Sequence, residues 1–81
     1  MADIDIFSTI NALSDEEERL YEHAGDGHGL TAEELARIDE IKVQLDRCYD
    51  LLHQRAGRRA AGLDPNEAAA RPASVVETYE Q

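Results

Sequence analysis

Between Leu30 and Gly62 the chain alternates polar and apolar positions with the period of a single long helix. Apolar side chains fall at Leu35, Ile38, Ile41, Leu45, Cys48, Tyr49, Leu52 and Ala56, spaced by threes and fours along one face. The start is spelled by Thr31 as N-cap and Glu34 three residues on, with Leu30 and Leu35 placed to close a hydrophobic staple. Gly62 supplies the stop. The pattern predicts a helix over about 31–61.

A second periodic stretch precedes it. Ile6, Ile10, Leu13, Leu20 and Ala24 follow the same rhythm, interrupted only by Glu17, and predict a helix over about 3–24. Asp3 or Asp5 is suited to cap its start. Gly25, Gly27 and Gly29 then end it, and a connection this short predicts an antiparallel hairpin. Residues whose numbers add to roughly 55 should lie opposite one another. That register sets Leu20 against Leu35, Leu13 against Ile41, Ile10 against Leu45, and Phe7 near Cys48 and Tyr49. The expected core is Ile6, Ile10, Leu13, Leu20, Leu35, Ile38, Ile41, Leu45 and Leu52.

Two helices cannot enclose a core, and the apolar arc of the second, about 100° wide, exceeds a two-stranded seam. The fold class expected is all-α: a helical hairpin that dimerises into a four-helix bundle. Residues 1–62 form the hairpin in this reading, and 63–81 a short capped helical turn and C-terminal tail. Asp64, Pro65 and Glu67 spell the start of that turn, and Arg71-Pro72 should end it. Val75, Val76 and Tyr79 in the tail are candidates for docking a partner.

Composition narrows the function classes. Eighty-one residues with three Tyr, one Phe and no Trp make a thin monomeric core, for which self-association is the ordinary remedy. The single cysteine, Cys48, excludes an internal disulfide and suits a reducing compartment; with no signal-like N-terminus and no apolar run of membrane length, a cytoplasmic protein is expected. The net charge of −10 sits entirely in residues 1–40, which hold twelve acids and two bases, while 41–81 hold six of each. Such an acidic half repels nucleic acid and anionic membrane at long range.

Chemistry-bearing residues are sparse. Glu17 lies on the apolar face of the first helix and must be paired, protonated or at an open edge; Arg37 and Lys42 lie close to its expected layer as partners. Asp46, Asp50 and His53 share a flank of the second helix at spacings that can chelate a metal, yet neither helix carries the Glu-x-x-His pair of bundle metalloproteins. His23 and His28 bracket the glycine turn without a fixed mutual geometry. Arg55, Arg58 and Arg59 end the second helix, where the dipole favours cations and where Asp3 and Asp5 should lie alongside. The same cluster is the candidate contact for an acidic partner or a phosphate backbone, although no nucleic-acid motif accompanies it. The glycine turn lacks the Lys-Ser/Thr of a phosphate loop, Cys48 sits on the apolar stripe, and no nucleophile–base pair is spelled. The reading is a non-enzymatic interaction or regulatory module without cofactor, working as a homodimer.

The run Leu45-Asp46-Arg47-Cys48-Tyr49-Asp50-Leu51-Leu52-His53-Gln54-Arg55, then Gly62-Leu63-Asp64-Pro65, then Arg71-Pro72-Ala73-Ser74-Val75-Val76-Glu77, resembles the small bacterial proteins grouped as domain of unknown function 2630. The resemblance covers nearly the whole chain. It implies a short cytosolic bacterial protein and no established activity.

Overall fold

The structure, a computed structural model, describes residues 2–69. It consists of helix α1 (Asp3–His23), a wide turn (Ala24–His28), helix α2 (Ala32–Ala60) and one 3-10 turn (Pro65–Glu67), with no strand among the described residues.

Each boundary has a local cause. Helix α1 is capped by Ala2, which has no side chain to offer; Asp5 instead accepts from the Ala2 amide at 3.1 Å. Asp3, expected as a possible cap, lies inside the first turn, which leaves its carboxylate free for partners elsewhere. At the other end the helix does not break at Gly25. It widens through Ala24–His28, and the chain reverses only at Gly27, whose φ of 93° suits a residue without a Cβ.

Helix α2 opens with the expected capping box. Thr31 Oγ1 accepts from the Glu34 amide at 3.1 Å, and Glu34 Oε1 accepts from the Thr31 amide at 3.0 Å. The hydrogen bond from the Thr31 amide, with the Thr31 hydroxyl nearby, holds the Glu34 carboxyl below its usual pKa. The helix closes in a Schellman motif: the Leu63 amide donates to the Arg58 carbonyl at 2.8 Å and the Gly62 amide to the Arg59 carbonyl at 3.1 Å, with Gly62 at φ 76°. Asp64 caps the 3-10 turn through the Asn66 amide at 2.9 Å. That turn ends at Glu67, well before Arg71-Pro72, because Ala68 is already extended.

The helices pack antiparallel. Ion pairs His23–Glu34, Glu16–Arg37 and Asp3–Arg55 cross the hairpin from turn to open end, and their residue numbers add to 57, 53 and 58. The expected register is therefore the observed one.

The inner face of α2 is broader than the expected stripe. Ile6, Ile10 and Leu51 form the buried cluster, with Leu45, Cys48, Leu52 and Ala68 packed against it, and Ile38 and Ile41 are buried nearer the turn, so most of the expected stripe faces inward. Glu34, Arg37, Gln44, Arg55 and Arg58 join it, all buried or half-buried. Leu35, expected in the core, is 49% exposed. Leu13, Leu20, Leu45 and Leu52 are half-buried. Leu51, left out of the expected core, belongs to it. Arg37 and Arg55 sit on this face because α1 supplies a carboxylate for each.

The molecule measures 52 × 25 × 15 Å. Its thinnest dimension is little more than one helix diameter, about 10–12 Å. Among the described residues five apolar side chains are buried and six large ones are exposed, five of these on the two helices.

Candidate functional site

The basic end of α2 is built into the fold. Arg55 is buried; its Nε donates to Asp3 Oδ1, and its Nη1 donates to the Pro65 carbonyl and to Asn66 Oδ1, each at 3.1 Å. Arg59 reaches the same carboxylate through Nη2 at 2.9 Å. Arg58 donates to the Asp64 carbonyl and to Glu67 Oε2, both at 2.6 Å. One guanidinium thus ties together the start of α1, the end of α2 and the 3-10 turn. Hydrogen bonds from Arg55, then Arg59, hold the Asp3 carboxyl below its usual pKa. Of the two acids expected here, Asp3 takes the arginines and Asp5 serves the helix start. Asn66 and the Pro65 carbonyl were not legible as partners, because they arrive through a turn whose path depends on the Schellman stop.

Glu17 is half-buried, and Arg37 does not pair with it. Arg37 makes a two-pronged contact with Glu16, Nη2 to Oε1 at 2.7 Å, and a further pair with Glu40 at 3.0 Å. That bidentate contact holds the Glu16 carboxyl below its usual pKa and strengthens the charge on Arg37. Lys42 is exposed. Among the described residues, neither Glu17 nor Lys42 has an ion-pair or hydrogen-bond partner.

Asp46, Asp50 and His53 remain on one flank of α2, and no group of three or more His, Cys, Asp or Glu among the described residues is arranged to hold a metal ion. Asp50 accepts from Gln54 at 2.9 Å, and His53 is exposed. Cys48 is a free thiol packed against the core, and burial pushes its pKa up. An open polar hollow beside the turn is lined by Arg19, Glu22, His23 and Gly25. Val75, Val76 and Tyr79 lie outside the described residues. No helix among the described residues is long and apolar enough to cross a membrane.

Beside the seam between them both helices leave large side chains open to solvent: Leu35 and Tyr49 on α2, with the exposed Lys42 between them, and Phe7 and Tyr21 on α1, with the half-buried Glu17 between them. Phe7, Tyr21, Leu35 and Tyr49 are each about half exposed, at 52, 46, 49 and 48%.

These features define a short protein of two paired helices that leaves large apolar side chains exposed, with no strand among the described residues. The chain belongs to the family described as protein of unknown function (DUF2630), which it matches over residues 2–81. It is 39% identical over 77 residues to an uncharacterised protein of Mycobacterium bovis, covering 95% of this chain and 88% of that one. The same figures hold for uncharacterised proteins of two strains of Mycobacterium tuberculosis. No solved structure matches the chain.

Proposed function

We propose that the protein is a non-catalytic interaction module of the cytosol that works as a homodimer, two hairpins closing into a four-helix bundle. The observation that carries this reading is the thinness of the hairpin: among the described residues, five buried apolar side chains against six large exposed ones, five of them on the helices. A second layer of helices is the ordinary way to cover such a surface. The free thiol of Cys48 against the core suits a reducing compartment.

Arg55, Arg58 and Arg59 at the end of α2 are engaged by Asp3, Asn66, Glu67 and backbone carbonyls, so the basic end acts as an internal clasp in this reading. Neither metal nor nucleic-acid binding gains an observation in its favour. Light scattering of the purified chain at micromolar concentration tests the dimer. A particle of twice the 9.0 kDa chain mass is expected, and a compact monomer would refute the reading.

A further inference from the structure

The exposed stripes of the two helices lie on the same side of the hairpin. On α1, Phe7 and Tyr21 each follow by one residue a member of the inner seam, Ile6 and Leu20; on α2, Leu35 and Tyr49 follow Glu34 and Cys48. One residue is a rotation of about 100°. In two antiparallel helices that face each other, the same rotational step moves both stripes to the same face. The opposite face is partly covered by the chain itself, where Gln54 donates to the Ala69 carbonyl at 2.9 Å and Ala68 packs on the Ile6–Ile10–Leu51 cluster.

We infer that the striped face is the seat of a second copy of this chain, related by a two-fold axis parallel to the helices. This deepens the dimer reading above and rests on it. Three observations select this occupant and this axis. The face of a slab 52 by 25 Å is larger than the roughly 800 Å² per partner of a standard interface. Its large exposed apolar residues, Phe7 and Tyr21 on α1 and Leu35 and Tyr49 on α2, recur fourteen residues apart, two heptads, so each pair returns to one side of its helix. Its two unpaired charges, Glu17 on α1 and Lys42 on α2, are opposite in sign; their numbers add to 59, just above the 53 to 58 of the observed pairs, which sets them within about 9 Å of one another along the helix axes, inside the reach of two long side chains.

The axis follows from those charges. A two-fold along the helices sets α1 of one copy over α2 of the other at unchanged level, so Glu17 meets the partner's Lys42, twice by symmetry. A two-fold across the helices sets α1 on α1 and α2 on α2, and brings Lys42 toward the partner's Lys42. Like charges so placed oppose association, and the first arrangement is free of that cost.

Lys42 is the only lysine in the chain, which makes the test specific. Glu17→Lys and Lys42→Glu should each weaken the dimer at least about tenfold in sedimentation equilibrium, and the double exchange should restore it. Circular dichroism reports whether each variant remains helical. A second measurement needs no variant: carbodiimide coupling of an equal mixture of ¹⁴N and ¹⁵N wild-type protein, mapped by mass spectrometry. Mixed-isotope peptides joining Lys42 to Glu17 are expected. A wild-type dimer that lacks this mixed cross-link, or that is indifferent to both single exchanges, would overturn the face and axis while leaving dimerisation intact. A wild-type chain that stays monomeric at every concentration would overturn both, and would assign the face to another partner.

Discussion

Asp3 and Arg55, fifty-two residues apart in sequence, meet at the open end of the hairpin, where the buried guanidinium also holds the 3-10 turn. The pair closes the structure at the end opposite the covalent turn. It is the counterpart of the glycine connection, made by charge instead of chain.

Acid should loosen this closure. Asp3 has a pKa depressed by its arginines, so its contribution to stability is complete above the ordinary aspartate value of 3.8 and disappears as pH falls through the lower folded value. Glu16 and Glu34 are depressed likewise and share the acid window. Asp3→Asn is expected to lower the melting temperature at pH 7 and to flatten the fall in melting temperature below about pH 4. An unchanged acid profile in thermal melts would show that the Asp3 pair contributes nothing to the fold.

The arginines should be unequal. Arg55 is buried and serves three partners, whereas Arg59 is largely exposed and shares one carboxylate. Arg55→Ala removes three hydrogen bonds together with the packing of a buried side chain and is expected to destabilise clearly more than Arg59→Ala, which removes a surface pair worth about 0–1 kcal/mol. Urea titration of the two variants measures the order.

Core positions should separate from stripe positions. Ile41 is fully buried in the hairpin, and Ile41→Ala is expected to cost about 2–5 kcal/mol. Thr31→Ala removes the cap of α2 and should cost about 1 kcal/mol. Leu35→Ala should act mainly on the dimer, by weakening self-association more than helicity. Urea titrations at high and low protein concentration distinguish the two effects.

Cys48 should react slowly. Burial raises its pKa and core packing restricts access, so alkylation at pH 7.5 is expected to be far slower in the native protein than in urea. Equal rates, followed by mass spectrometry, would show the thiol to be open.

Much of the architecture is legible because it is local. Thr31 and Glu34 spell a start that the backbone obeys, and Gly62 is the one residue type that closes a Schellman motif without strain. The register is legible because it depends only on where the turn sits. What the apolar pattern misses is the breadth of the inner face of α2. It places Ile38, Ile41, Leu45, Cys48 and Leu52 toward α1, but it puts Leu35 inside and leaves out Leu51. The Asp3–Arg55 pair follows from the antiparallel register, whereas the choice of Glu16 over Glu17 by Arg37 leaves no periodic trace. Glu17 shows the converse: its position marks it as anomalous, yet its partner is not the arginine of its layer, because Glu16 takes that arginine.

The dependence of melting temperature on protein concentration tests most directly whether the exposed stripes complete the core of a dimer. Folding coupled to association gives a melting temperature that rises steadily with concentration from the low to the high micromolar range. That rise is expected here. A melting temperature independent of concentration, with a monomeric mass throughout, would mean that the hairpin stands alone.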